Sequence, residues 1–150
     1  MEPMRPLTIL LLNTMIVLSA QTSDEKEAIA VVQRTFDGIA AHDGDTIRST
    51  MLPDARIYAL RDTGAPTGVA VADLVDRIAA NKGTLLERFT SPPRVLIHER
   101  IAQVWGEYEF LLDGKVSHCG VDSASLFKTD TGWKIAAIVY TAETTGCKGQ

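Results

Sequence analysis

The chain has 150 residues, of which 45% are hydrophobic, and its formal net charge is −4. This length fits one domain, and the hydrophobic fraction is sufficient for a buried core, which argues against intrinsic disorder. The net charge is negative, and the sequence contains no run of Lys or Arg. It therefore lacks the basic patch that proteins use to bind nucleic acid or anionic membranes. We therefore expect neither as a partner.

Residues 1–20 differ in character from the rest of the chain. Arg5 precedes an apolar stretch at 7–18, and small residues follow it up to Ala20. This pattern is typical of a secretory signal peptide, and the stretch is short for a membrane-spanning helix, which needs roughly 20 apolar residues. We expect cleavage after Ala20, a secreted or periplasmic protein without a membrane anchor, and one domain at 21–150. An uncleaved anchor and a fortuitous apolar start are the alternatives.

The two cysteines, Cys119 and Cys147, both lie in the predicted mature part. An oxidising compartment would permit a disulfide between them. The alternative is a buried Cys119 that acts as a small apolar residue and an exposed Cys147 on a loose tail. Two cysteines give no spacing pattern to test, so both interpretations stay open.

The first part of the predicted domain has helical patterns. Ser23 is the predicted N-cap of a first helix, and apolar residues then recur at helical spacing: Ile29, Val32, Phe36 and Ile39. The turn formers at 43–45 end this helix, and Asp45 is the predicted cap of a short second helix that Pro53 closes.

A strand at 55–60 follows, with Ile57 and Tyr58 on opposite faces, and then a loop at 62–68. A third helix is predicted over about 69–81. Turn signals separate the predicted strands of the second half, at 85–90, 94–98, 102–112, 115–128 and 133–142. Helices followed by a meandering sheet predict an α+β fold with antiparallel pairing.

The Asp113-Gly114 turn predicts a two-residue hairpin, because Gly accepts the positive φ that this turn needs. Its register places these pairs opposite each other: Leu112 and Lys115, Glu109 and His118, Glu107 and Gly120, Trp105 and Asp122. A loop that places Lys128 opposite Trp133 extends the same face. The face is then a mixture of polar and apolar side chains, typical of a small-molecule cavity: Trp105, Glu107, Glu109, His118, Asp122, Ala124, Leu126, Trp133, Ile135, Ala137 and Val139.

The opposite face of the predicted sheet is too apolar for open solvent. It contains Val104, Tyr108, Phe110, Cys119, Val121, Phe127, Ile138 and Tyr140. For a domain of this size, a homodimer is the economical way to cover that face.

Several segments together resemble a known superfamily. They are 43–45, 52–57, 105–110, 113–115, 118–122 and 132–135. These motifs are similar to those of the nuclear transport factor 2-like superfamily, and the nearest branch is the one labelled lumazine-binding, close to the polyketide-cyclase-like proteins. The resemblance covers roughly 25–147.

This resemblance implies a cone-shaped, curved antiparallel sheet packed on about three N-terminal helices, the nuclear transport factor 2-like or cystatin-like roll. It places a ligand between the concave sheet face and the first and third helices. The branch name implies a pterin-like or flavin-precursor ligand, although no residue singles out such a ring. The superfamily includes isomerases, cyclases, dehydratases, epoxide hydrolases and proteins without catalysis, so the motifs indicate fold rather than function.

Asp122 is the candidate catalytic base, since burial would raise its pKa, and His118 or Tyr58 is the candidate donor to a substrate oxygen. The alternative is that Asp122 only bonds backbone or the Trp105 indole. His118 and Asp122 lie about 13 Å apart along one strand, so a joint role requires a substrate between them. The candidate ligand-binding residues are Tyr58, Trp105, Glu107, His118, Asp122 and Trp133.

Glu109 is expected to form a cross-strand charge pair with His118. The three histidines, His42, His98 and His118, are too scattered for a metal motif, and no phosphate loop, dinucleotide fingerprint or nucleophile elbow is present. We expect no metal and no cofactor.

Three functions follow from the sequence. The first is an exported domain that binds a small apolar or aromatic molecule in a semi-apolar pocket. The second is a cofactor-independent isomerase, cyclase or dehydratase that uses a pocket carboxylate as base. The third is a non-catalytic protein-interaction module whose cone is filled by side chains.

Overall fold

The computed structural model of the protein describes residues 21–148, so the predicted signal peptide at 1–20 lies outside the described residues. Its elements are α1 (Ser23–Ala40), α2 (Gly44–Thr50), β1 (Met51–Arg61), β2 (Thr67–Ala70), α3 (Val71–Ala80), β3 (Leu85–Phe89), β4 (Arg94–His98), β5 (Ile101–Leu112), β6 (Lys115–Thr129) and β7 (Gly132–Ala142). Within 21–148, no helix is long and apolar enough to span a bilayer.

The strands form one curved, unclosed sheet with the order β2-β1-β7-β6-β5-β3, and β4 pairs with the other half of β5. All pairs are antiparallel except β1 with β7, which are parallel. The three helices pack on one face of this sheet, here called the inner face, and the other is the outer face. The predicted α+β architecture is confirmed.

Both N-terminal helices begin with a cap that lies before the predicted one. Thr22, not Ser23, caps α1: its hydroxyl accepts from the Glu25 N–H at 3.2 Å, and its own N–H donates to the Glu25 carboxylate at 2.7 Å. This reciprocal capping box satisfies two otherwise unpaired backbone donors. Asp43, not Asp45, caps α2 and accepts two backbone N–H groups at 3.0 Å.

The predicted loop at 62–68 is shorter in the structure, because 67–70 form β2 and pair with β1. The third helix therefore begins at Val71 rather than at 69. Strand β1 also starts earlier than predicted and passes through Pro53. Its pairing with β7 is irregular between Met51 and Arg56, and a bulge of this kind tolerates a residue that has no N–H to donate.

The predicted hairpin turn is correct, but the predicted register fails beyond it. Leu112 is opposite Lys115 and Leu111 is opposite Val116, and a bulge follows at Ser117. Phe110, not Glu109, therefore lies opposite His118. Because side chains alternate between the two faces of a strand, one extra residue moves every later side chain of the partner strand to the other face.

A second bulge separates the two halves of β7. Leu126 is opposite Ile135, whereas Ser125 is opposite Ala137, so that β7 contains one extra residue at this point. Beyond it, Ile138 is opposite Ala124 and Tyr140 is opposite Asp122. Ile138 and Tyr140 consequently lie on the inner face, and the predicted inner position of Val139 is wrong.

The two bulges exchange several residues between the predicted faces. Trp105, Glu107 and Glu109 lie on the outer face, and residues predicted there lie on the inner face: Val104, Tyr108, Phe110, Ile138 and Tyr140. The outer face nevertheless exposes large apolar side chains: Leu96, Ile101, Trp105, Phe127 and Val139.

Within residues 21–148, the core is packed without a cavity at one end of the inner face. Leu126, Trp133 and Ile135 are at most 3% exposed there and belong to one hydrophobic cluster with Val32 of α1. Farther along the sheet, the same strands border an open space rather than packed side chains.

Candidate functional site

A cavity of about 240 Å³ lies between α1, α3 and the inner face of the sheet. All strands except β4 contribute to its wall, which is largely apolar and includes Phe36, Ile57, Leu74 and Ile138. Its polar side chains come from a few positions on strands, on α3 and, at Thr35, on α1. A mostly apolar concave site with few polar groups is typical of small-molecule binding.

Two carboxylic acids face this cavity. Asp122 lies on the inner row of β6 and is 3% exposed. Glu87 lies on β3 between Leu85 and Phe89, whose inward positions it shares, and it is half-buried. The two carboxyl groups lie close enough for each to alter the proton affinity of the other. Neither forms an ion pair with a cation within the described part of the chain, so they are a buried acid pair.

The pair has strongly altered proton affinities. Burial raises the pKa of Asp122 to about 7, and the hydrogen bond from Glu87 partly opposes this effect. Burial and the adjacent Asp122 carboxylate raise the pKa of Glu87 well above its ordinary value. Two carboxyl groups in contact share a proton because their like charges repel. The pKa values of both acids are therefore raised, and that of Asp122 lies near neutral pH.

The imidazole of His118 lies in an aromatic stack on the wall of the same cavity. Its ring centroid is 4.9 Å from that of Phe110, nearly parallel to it, and 6.4 Å from that of Tyr140 on the cavity wall. Burial and the positive charge of Arg61 lower the pKa of His118. The ring is therefore neutral at pH 7, with one nitrogen as donor and the other as acceptor.

The backbone behind the cavity is held in close contact. The Tyr108 hydroxyl donates to the Thr141 carbonyl at 2.7 Å, and the Thr141 hydroxyl accepts from the Val121 N–H at 3.0 Å. Gly120 has a φ of +157°, and a Cβ there would lie 2.4 Å from the Thr141 carbonyl oxygen. Only glycine permits this approach of β7 to β6.

A disulfide joins Cys119 of β6 to Cys147, with the two Cα atoms 5.7 Å apart. The C-terminal segment is also paired to β6, because Cys119 and Glu143 exchange two backbone hydrogen bonds. The end of the sheet that borders the cavity is thus fixed by covalent and backbone bonds.

No protein-family model matches the sequence, and no curated protein sequence matches it. Solved structures do match. A nuclear transport factor 2-like superfamily protein from Salmonella enterica serovar Typhimurium superimposes with a TM-score of 0.65 at 14% identity, over 83% of this chain and 94% of the other. The chain has the nuclear transport factor 2-like fold.

Two other proteins of this fold show the range of activities assigned to it. A proposed aromatic ring hydroxylase from Novosphingobium aromaticivorans gives a TM-score of 0.69 at 15% identity, over 83% of this chain and 92% of the other. A proposed dehydratase of the nuclear transport factor 2-like family from Streptomyces avermitilis gives 0.62 at 15% identity, over 78% and 94%. Identities of this size show a shared fold and do not establish a shared activity.

Within the nuclear transport factor 2-like fold, the structure separates the predicted site residues into two groups. His118 and Asp122 line the cavity. Tyr58 and Trp105, 42% and 51% exposed, project from the outer face, and Glu107 forms an exposed ion pair with Lys148 at 2.7 Å. These three do not reach the cavity, since Tyr58 alternates with the inward Ile57 and Ala59, and the bulge at Ser117 reverses β5 relative to β6.

Trp133 does face the helices, but it lies in the packed core at 3% exposure and not in the cavity wall. Its indole nitrogen has no hydrogen-bond partner among residues 21–148. The expected pairing of Glu109 with His118 is also wrong: Glu109 is buried on the outer face and pairs with Arg88, whose Nε donates at 2.7 Å.

Sequence reasoning missed Glu87, Arg61 and Tyr140. A signal was present for Glu87, because Leu85 and Phe89 are apolar and alternate with exposed residues, which places the intervening acid on the buried face. The same alternation applies to Arg61, which follows the inward positions Ile57 and Ala59 of β1. Tyr140 required knowledge of the bulge in β7. Among the described residues, no three His, Cys, Asp or Glu side chains are grouped to hold a metal ion.

Proposed function

We propose that the protein is an exported domain that binds a small molecule with an apolar or aromatic body inside the cavity. The observation that carries this proposal is the unfilled space of about 240 Å³ beside a well-packed core. The cavity wall is apolar, and its polar groups are few and fixed, which is the arrangement that binds and orients a small ligand. The disulfide supports export, since such bonds persist in oxidising compartments.

The test is native mass spectrometry of the protein purified from the organism that makes it, compared with two variants. Ala59→Phe fills the cavity from β1, and Leu60→Phe adds the same ring to the outward side of the same strand. We expect a co-purifying molecule in the wild type and in Leu60→Phe, and its loss in Ala59→Phe. A folded Ala59→Phe variant that keeps the molecule would place binding elsewhere and contradict the proposal.

A second function is favoured by the acid pair: a cofactor-independent isomerase, cyclase or dehydratase with Asp122 as general base. A base works best when its pKa lies near the working pH, and the pKa of Asp122 is about 7. Neutral His118 is a donor on the same wall that can stabilise a developing oxyanion.

Deuterium uptake by 2-tetralone, a ketone with acidic C–H bonds, tests this function by NMR in D₂O. We expect the wild type to accelerate exchange, with a rate that rises as Asp122 ionises around pH 7, and Asp122→Asn to slow it by about a hundredfold or more. Unaltered exchange in Asp122→Asn would exclude this role of the carboxylate and leave the binding function intact.

The proposal also includes a homodimer formed through the outer face, which would cover Trp105 and its exposed apolar neighbours. The lumazine-binding branch stays a prediction of the sequence motifs. A pterin or flavin-like mass in the native spectrum would support it.

A further inference from the structure

The cavity wall includes two arginines, Arg61 at the end of β1 and Arg77 on α3. Arg61 continues the inward row of Ala59, and Arg77 lies one turn from Leu74, which also lines the cavity. Both side chains are exposed to solvent. They therefore mark the open side of the site, while Asp122 is fully enclosed.

Neither arginine forms an ion pair with a carboxylate within residues 21–148. Some surface cations in this range do, as with Lys128 and Asp24 at 2.5 Å, and others, such as Arg56, do not. A guanidinium group presents N–H donors in a fixed fork that fits a carboxylate in a bidentate manner. The two groups thus provide unused anion-binding capacity at the cavity.

Tyr140 of β7 lies between Asp122 of β6, with which it pairs, and Ala59 of β1, two residues before Arg61. Burial raises the pKa of Tyr140, while Arg61 and Arg77 oppose this rise, and Glu87 and Asp122 add to it. The pKa of the Tyr140 phenol is thus affected by both arginines and by both acids. The acid pair carries at most one negative charge near neutral pH, so one further negative charge balances the two arginines.

We propose that the ligand is a small carboxylic acid whose carboxylate is held by Arg61 and Arg77 and whose apolar body extends toward Asp122. This inference rests on the proposed binding function and specifies its ligand class. The apolar wall between the two ends matches an aromatic or aliphatic body. A dianion such as a phosphate monoester is disfavoured, because the acid pair already contributes negative charge.

Calorimetric titration with matched acids and amides tests the proposal. The probes are benzoate and benzamide, trans-cinnamate and trans-cinnamamide, and 2-naphthoate and 2-naphthamide. Each pair has the same body and differs in charge. We expect the wild type to bind at least one acid about tenfold or more tightly than its amide, since charge-assisted hydrogen bonds are the stronger ones.

Arg61→Gln and Arg77→Gln are each expected to weaken binding of that acid by about tenfold and to leave binding of the amide unchanged. The matched control is Arg56→Gln, which removes an exposed arginine from the outward side of the same strand β1. Circular dichroism of each variant establishes that it is folded. The control is expected to bind like the wild type.

Equal affinity for acid and amide in every pair, or a preference for acids that survives in both arginine variants, would overturn this inference while the cavity remains a binding site. If no member of the three pairs binds, and Ala59→Phe behaves as the wild type does in native mass spectrometry, the proposed function fails together with it.

Discussion

The two ends of the inner sheet face differ sharply, although strands β6 and β7 build both. In the packed half, Leu126, Trp133 and Ile135 are at most 3% exposed and fill the space beneath α1. In the open half, Ile138 and Tyr140 border the cavity. The bulge of β7 lies between these two halves. One strand can therefore supply a stable core and a vacant site when an irregularity separates the two tasks.

The largest expected effect tests the packed half against the open half. Ile135→Ala removes a fully buried side chain and is expected to lower the free energy of unfolding by about 2–5 kcal/mol. Ile138→Ala should cost only about 1–2 kcal/mol, because that side chain already borders unfilled space. Urea unfolding of both variants measures the difference. Equal losses would mean that the two halves are packed alike.

The open half depends on covalent attachment where the packed half depends on side-chain packing. Replacing Cys119 and Cys147 together by Ser removes a link across 28 residues and is expected to cost about 2–4 kcal/mol. Hydrogen exchange should increase first at Gly120 and Thr141 and leave the amides of Leu126 and Ile135 protected. Uniform loss of protection along β6 would contradict this division.

Stability should fall with rising pH because of the acid pair. The folded pKa of Asp122 is about 7 against an ordinary value of 3.8, so the folded state binds more protons between these limits and the free energy of unfolding decreases from about pH 4 to pH 7. The expected loss is about 3 kcal/mol. Carboxylates with lowered pKa values, such as Asp43 and Asp62, act below this window.

Asp122→Asn is expected to flatten this decrease, as measured by urea unfolding at several pH values. Asp54→Asn, on the exposed surface of β1, is the control and should retain the wild-type slope. A wild-type stability that rises from pH 4 to pH 7 would show that the pKa of Asp122 is not raised by burial. The open half would then not differ from the packed half by containing a buried acid.

The smallest effect on the stability of the chain is expected on the outer face. Trp105→Ser and Leu96→Ser change exposed side chains and should alter the free energy of unfolding by no more than about 0.5 kcal/mol. If the proposed dimer forms there, light scattering should show the mass of a dimer for the wild type and of a monomer for the double variant. A monomeric wild type would remove the dimer.

Local patterns were sufficient to predict most of the fold. Strand β4 has the predicted bounds, β3 and β5 to β7 differ by one residue at an end, and the Asp113-Gly114 turn is correct. These features depend on short-range chemistry such as turn residues and alternating apolar positions. The cap of α1 was misplaced by one residue, because Thr22 and Ser23 are chemically similar.

The candidate site was harder to predict, since its faces were derived by counting residues from the turn. One bulge at Ser117 was enough to move Glu107 and Glu109 to the other face. The alternation within β5 contained the better signal: Val104, Tyr108 and Phe110 are apolar and alternate with the two acids. A solvent-facing row of acids was the simpler interpretation. Pairing between Glu87 and Asp122 is a tertiary contact, which no local pattern encodes.

The bulges also affect how this chain should be aligned with distant relatives. At 14–15% identity, an ungapped alignment across Ser117 or Ala136 would match a cavity residue of one protein with a solvent-facing residue of another wherever the second protein lacks the extra residue. Functional residues of a relative should therefore be assigned to this chain by superposition of Cα atoms and not by sequence alignment. This applies above all to His118 and Tyr140.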